Sequence, residues 1–272
     1  MEWKRGKVSP SANRTAIDLA IAEYLSKRKD KGEHDRLDTE FKNWAVVQLR
    51  MLFFVAHDST STTICYIFCL LSKNGTALQK IRDEHEQVLG TLAYLPCLLR
   101  EQPQLLNKLP YTTAVIKKTL RMFPPASAFR IGKQGVDLVN DDGSLYPTED
   151  TRVWVLHSRL HNHPKYWKDP QIFMSERWLV GPNDPFYPRC GAWRPFEFGA
   201  RNCLGQALSM LDLKVTLCMT VRKFDIHAAY DEWDKLKCIT RERTYFGERA
   251  YQRGNGGAHP ADGFPCRIKV RN

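Results

Sequence analysis

Apolar positions recur at helical spacing through much of the chain. Ile17, Ile21, Tyr24 and Leu25 share one side of a helical projection and predict a first amphipathic helix. The charged stretch 27–36 predicts a solvent loop, and Asp38 is a suitable N-cap for a long helix over 38–72. At 1.5 Å per residue that helix is about 50 Å long, enough to cross a whole domain. Ser59, Thr60, Ser61, Thr62 and Thr63 form an unbroken hydroxyl run within it. Such side chains bond back to carbonyls one turn earlier and bend or loosen a helix. Further helices are predicted over 77–89, ended by Gly90, and over 111–122, stopped by Pro124 and Pro125. Alternation predicts strands at 128–131, 136–139 and 152–156, with Asp141, Asp142 and Gly143 as the turn between the last two. The prolines at 164, 170, 182, 185, 188 and 195 make 164–200 an irregular segment, followed by a helix over 205–222. Gly254, Gly256 and Gly257 predict a loop, and 267–270 a final strand. The order is that of a helix-rich α+β unit, with no alternating βαβ pattern.

A hydrophobic content of 43% and a charged content of 26% over 272 residues describe a chain able to bury a sizeable core, which excludes a disordered tail. No apolar run reaches the eighteen or so residues of a membrane span. The basic start, 1–7, has no apolar stretch behind it, so no secretory signal is expected. Eight cysteines without an export signal point to a reducing compartment, and no Cys-x-x-Cys pair offers a zinc site. Cys65 and Cys69, one turn apart, read as small buried apolar residues. The net charge of +11 favours an acidic partner, but the cations are dispersed and no nucleic-acid motif is present, so no nucleic-acid partner is expected.

The segment 196–205, F-E-F-G-A-R-N-C-L-G, changes this picture. Cys203 stands between a glycine-bearing loop and the start of a helix, where backbone N–H groups and the helix dipole favour a thiolate. Gly199 and Gly205 allow tight turns and close approach of a flat ligand, and Arg201 offers a guanidinium to an acidic group.

The pattern F-x-x-G-x-R-x-C-x-G resembles the haem-binding signature of cytochromes P450 at every fixed position. V-A-H-D-S-T at 55–60 resembles the oxygen-activating part of that family's central helix. A-V-I-K-K-T-L-R-M-F-P-P at 114–125 resembles its Glu-x-x-Arg helix, and E-R-W at 176–178 its arginine-bearing motif ahead of the haem loop. The wording W-R-P-F-E-F-G-A-R-N-C-L-G-Q looks like fungal members, including those of secondary metabolism. The resemblance implies a mostly helical α+β fold of P450 type lacking its N-terminal half. It makes Cys203 the metal ligand of haem b, with Arg201, Arg130, Phe196, Gly199 and Gly205 in the cofactor site. Thiolate donation in this family favours O–O cleavage. Asp58, Ser59 and Thr60 would be catalytic, delivering protons through hydroxyls and water. Ser59 stands where threonine is usual, keeping the hydroxyl without the methyl that fixes its rotamer, and Ala56 where glycine is usual. Phe53 and 126–129 would line the substrate side.

The implied activity is insertion of one oxygen atom of O2 into a lipophilic small molecule. Electrons would come from NADPH through a flavin-containing reductase, since no dinucleotide or phosphate loop is present here; the basic balance suits docking of an acidic reductase. The family's place is the endoplasmic reticulum membrane, reached through the missing N-terminal half, so this chain alone is expected in the cytoplasm. The resemblance also isolates Lys118, which occupies the position of the family's glutamate. With Arg121 and Arg177 it forms a trio of cations, for which Glu176 and Glu197 are the candidate substitute carboxylates. This favours the alternative of a truncated, non-catalytic remnant with weak or no haem binding. His157, His161 and His163 with Asp169 have a partial metal-ligand look, but Pro164 and the preceding strand pattern argue against the helix that would align them. Asp83, Glu84 and Glu86 read as a solvated helix face.

Overall fold

The computed structural model describes residues 15–29, 37–241, 243–255 and 257–271. The chain divides into two compact units, Met1–Val55 and Ala56–Asn272. Within the first lie α1 (Ala16–Lys29) and the opening turns of α2 (Thr39–Lys73). Asp38 caps α2 as expected, its Oδ1 accepting from the Phe41 N–H at 2.7 Å. Its other oxygen takes the Tyr24 hydroxyl and the Arg28 guanidinium, while Tyr24 stacks on Phe41 with centroids 4.1 Å apart. The predicted solvent loop starts later than expected, because α1 continues to Lys29; 30–36 lie outside the described residues.

In the second unit the rest of α2 packs with α3 (Gly75–Leu89), α5 (Pro110–Met122) and α7 (Gln206–Thr220). One apolar cluster joins Ile67 and Leu71 of α2, Ile81 of α3, Val115, Ile116 and Leu120 of α5, and Leu213 and Leu217 of α7. Each such side chain contributes roughly 1.5–3 kcal/mol when fully buried, and their spacing is the helical period that made these elements legible. Tyr66 and Phe123 stack at 4.1 Å in a neighbouring cluster with Cys69, Ala250 and Phe264. Cys69 is buried as expected, while Cys65 is only partly so.

Glu84 is not part of a solvated face. Its carboxylate accepts from the backbone N–H groups of Tyr111 at 2.6 Å and Thr112 at 2.8 Å, capping α5 from outside. The helix needs this, because Leu109 stands at its N-cap and has no polar side chain to offer.

The strands form four antiparallel pairs. They are β1 (Ala128–Ile131) with β4 (Arg152–Val155), β2 (Asp137–Val139) with β3 (Leu145–Pro147), β5 (Phe224–Ala228) with β8 (Cys266–Val270), and β6 (Gln252–Asn255) with β7 (Gly257–Pro260). Two expectations are corrected here. The Asp142–Gly143 turn closes the β2–β3 hairpin and does not lead directly to β4. Gly254 and Gly257 are paired in a β6–β7 hairpin and not in an open loop; Gly256 lies outside the described residues. Short helices α4 (Leu95–Glu101), α6 (His157–Asn162) and α8 (Tyr230–Leu236) complete the unit, and α7 stops two residues earlier than expected.

Candidate functional site

Cys203 lies between a single helical turn, Gly199–Arg201, and α7. The loop is closed by its own backbone, Cys203 N–H donating to the Phe196 carbonyl at 2.8 Å. Phe196 is held in turn by edge contact with Trp193, 6.1 Å between centroids. Gly199 has φ +73°, which a side chain would strain. Gly205 needs no such freedom, with φ −85° at the N-cap of α7; a Cβ there would simply stand 3.9 Å from the Cys203 sulfur. The thiol is free and exposed, as is Arg201. Apolar Phe198, Leu208 and the 99% exposed Leu204 flank them.

Arg130, on β1, reaches this loop through Glu197. One Glu197 oxygen accepts from Arg130 at 2.9 Å and Arg194 at 3.1 Å, and the other meets His157 Nε2 at 2.7 Å. Burial alone would raise the Glu197 pKa, but the His157 hydrogen bond and the charges of Arg194 and Arg130 outweigh it and hold the carboxyl below its ordinary value. His157 and His161 do share a helix, α6, correcting the expectation from Pro164, and their rings stack at 6.0 Å. Both rings are engaged within the protein. His157 also faces the Ala126 carbonyl, and His161 Nε2 accepts from the Arg194 N–H at 2.9 Å. Burial pushes His161 down to about 3, and no metal-binding group of three appears among the described residues.

On α2, Asp58 and Thr62 lie one turn apart and share a partner that spacing did not reveal. His259 of β7 meets Asp58 Oδ1 at 2.9 Å through Nε2 and Thr62 Oγ1 at 2.8 Å through Nδ1. Thr60 turns elsewhere. It is buried, with its hydroxyl 3.4 Å from Ser209 of α7, the helix that Cys203 precedes. The Ser59 carbonyl accepts from Thr63 Oγ1 at 2.8 Å and the Asp58 carbonyl from Ser61 Oγ at 3.1 Å, the expected back-bonding of the hydroxyl run. Phe53, in the first unit, is 74% exposed.

Neither substitute carboxylate meets the cation trio. Glu176 pairs with Lys80 at 2.7 Å, and Glu197 is engaged as described. Lys118, Arg121 and Arg177 are all buried and bond to carbonyls: Ile172 for Lys118, His161 and Pro170 for Arg121, Lys168 for Arg177.

Comparison with known proteins settles the fold relation. The sequence model of the family described as cytochrome P450 matches residues 1–242. The chain belongs to the cytochrome P450 family. Among curated P450s it is 39% identical over 256 residues to cytochrome P450 monooxygenase polC of Polytolypa hystricis, covering 93% of this chain and 46% of that protein. It is 32% identical over 292 residues to monooxygenase acrF of Aspergillus aculeatus, covering 98% and 58%. It is 35% identical over 209 residues to monooxygenase PC-23 of Penicillium crustosum, covering 76% of this chain and 99% of that protein. The chain thus spans about half the length of the first two relatives. A cyanobacterial P450, CYP120A1 with retinoic acid bound, shares the fold at TM-score 0.63 and 20% identity, over 81% of this chain and 45% of that one.

P450s hold haem and draw electrons from a reductase, and the residues here fit that group. A soft, exposed sulfur at a helix N-terminus is the donor such an iron takes. Cationic Arg201 and Arg130 suit acidic substituents, and Phe198, Leu204 and Leu208 suit an apolar ring face. No helix among the described residues is long and apolar enough to cross a membrane.

Proposed function

We propose that this chain carries a haem-thiolate site at Cys203 and acts as a monooxygenase on a lipophilic small molecule, in fungal secondary metabolism. The carrying observation is the exposed Cys203 thiol just ahead of α7, on a loop whose backbone is closed by the Cys203 N–H donating to the Phe196 carbonyl. Haem b, when bound, would supply the oxygen-activating chemistry, held through its iron by the Cys203 thiolate, with electrons from NADPH through a flavin-containing reductase. Arg201 and Arg130 would hold its acidic substituents, Phe196 fixes the loop, Gly199 makes its positive-φ turn, and Gly205 leaves room beside the thiol. Asp58 and Ser59 would hold and move protons through carboxyl and hydroxyl oxygens. Thr60, turned toward Ser209, supports this arrangement from the α7 side. The printed names of the fungal relatives, all monooxygenases, agree with the activity. Location at the endoplasmic reticulum membrane belongs to the same reading.

One observation favours a second reading, a non-catalytic member with weak haem binding: the buried trio of Lys118, Arg121 and Arg177 has no carboxylate partner within ion-pair distance among the described residues. The reduced, carbon-monoxide-bound absorption spectrum of the haem-supplemented protein decides between the two. A far-red-shifted Soret band, lost in Cys203→Ala, is the expected result. An ordinary or absent haem band in the unsubstituted protein would establish the second reading.

A further inference from the structure

The β6–β7 hairpin is pressed against α2 at Asp58. It is anchored beside the Pro124–Pro125 turn, with Gln252 Nε2 donating to the Pro124 carbonyl at 2.9 Å and the Ala258 N–H to the Pro125 carbonyl at 3.0 Å. Gly257 comes so close to Asp58 that a Cβ there would stand 2.3 Å from Oδ2. Two residues on, His259 bridges Asp58 Oδ1 and Thr62 Oγ1 through its two ring nitrogens. Asp58 is therefore bounded on one oxygen by a glycine that leaves it room and on the other by an imidazole.

The two contacts fix which ring nitrogen faces the acid. A carboxylate only accepts, so the nitrogen facing Asp58 is the donor, while Nδ1 meets the Thr62 hydroxyl, which can donate or accept. Thr62 is buried, so bulk water does not compete for the Nδ1 contact. The His259 side chain is 30% exposed, so solvent reaches the ring that joins Asp58 to Thr62. A third residue that orients an acid in this way acts as outer-shell partners act on metal ligands, by restricting rotamer and tautomer.

We propose that His259 is a positioning residue for Asp58, so that the C-terminal hairpin, and not α2 alone, sets where the proton-delivering carboxyl stands. The proposal rests on the reading of Asp58 as the acid on the oxygen side of the site. It also gives Gly257 a purpose, since a side chain there would displace the carboxyl from the ring.

Two measurements on the full chain test it. With 15N-labelled histidine, the long-range ring correlations of His259, assigned by their loss in His259→Gln, are expected to show a single Nε2–H tautomer. That bias is expected to relax toward a two-tautomer average in Asp58→Ala and in Thr62→Val. In haem-supplemented protein with NADPH and a flavin reductase, misplaced proton delivery lets dioxygen leave as hydrogen peroxide, with two electrons from NADPH and two protons from water. The peroxide released per NADPH is expected to rise at least threefold in His259→Phe and to return most of the way in His259→Gln, which keeps one N–H for Asp58. An averaged ring pattern, or an unchanged peroxide ratio in His259→Phe, in protein that retains the thiolate band overturns the positioning role alone. Absence of the band from the unsubstituted protein overturns the function on which the role rests.

Discussion

Lys118→Glu stabilises the fold by about 3–5 kcal/mol at neutral pH, the size of the penalty for leaving a buried ion pair without one partner. Lys118, Arg121 and Arg177 are fully or almost fully buried, and no carboxylate lies within ion-pair distance of them among the described residues. The guanidiniums stack on Trp167, their carbons 5.1 and 5.8 Å from its ring, but Arg121 Nε and Arg177 Nε find no acceptor. Two buried donors without partners are costly in themselves. A carboxylate at this position accepts from them and cancels charge in the same step.

The same trio makes stability climb with pH. Burial, then the charges of Arg121 and Arg177, push the Lys118 amine down to about 5. Between about pH 5 and its ordinary value near 10.5 the unfolded chain binds a proton at this lysine that the folded chain does not. Unfolding free energy therefore rises with pH across that window, by at most about 1.4 kcal/mol per unit for one group. Arg121, pushed down to about 9 by burial and by Arg177, adds a slope of the same sign at higher pH. Urea unfolding at pH 6, 7.5 and 9 is expected to show rising midpoints in the natural sequence and a much flatter series in Lys118→Glu. Lys118→Met, which removes the amine and supplies no acceptor, is expected to be equally flat, with midpoints between the two at neutral pH. Identical midpoints for all three proteins would refute the account.

What the sequence made legible follows from period and pattern. Helices α2, α3, α5 and α7 run long enough for the apolar stripe through Ile67, Leu71, Ile81, Val115 and Leu213 to repeat. The Cys203 loop was legible because its residue types recur at fixed spacing. Elements of three to seven residues, such as β3, α4, α6 and α8, complete too few periods to declare themselves. In α6, Pro164 stands beyond the helix end at Asn162 and therefore does not interrupt it. Gly254 and Gly257 read as a loop because glycine weakens a strand pattern. Gly257 is in a strand for a reason outside that strand, the Asp58 carboxyl beside it. The His259–Asp58 contact joins residues 201 apart, and the Glu84 cap joins two helices. No local spacing encodes either.

Glu197→Ala is the converse of the Lys118 experiment, removing the one anion that three basic groups share. Arg130 and Arg194 are partly exposed, so solvent screens some of the loss, and the expected cost is about 2–3 kcal/mol. The depressed carboxyl contributes stability above its ordinary pKa of 4.5 and loses it as pH falls through the lower folded value. The acid limb of the stability curve should therefore be shallower in the variant. Backbone conformation permits a sharper test. Glu197 sits at φ +63°, a region costing a non-glycine residue about 1 kcal/mol or more. Glu197→Gly removes the same carboxylate but relieves that strain, so it should be less destabilised than Glu197→Ala by about 1 kcal/mol in urea unfolding. Equal losses would show that the strain is absent, and no loss in either would show that Arg130, Arg194 and His157 do not depend on this anion. If the cluster does depend on it, the loop from Phe196 to Cys203 is held from the β1 and α6 side by one residue, and Glu197→Ala loses haem faster than the natural sequence on dilution into apomyoglobin.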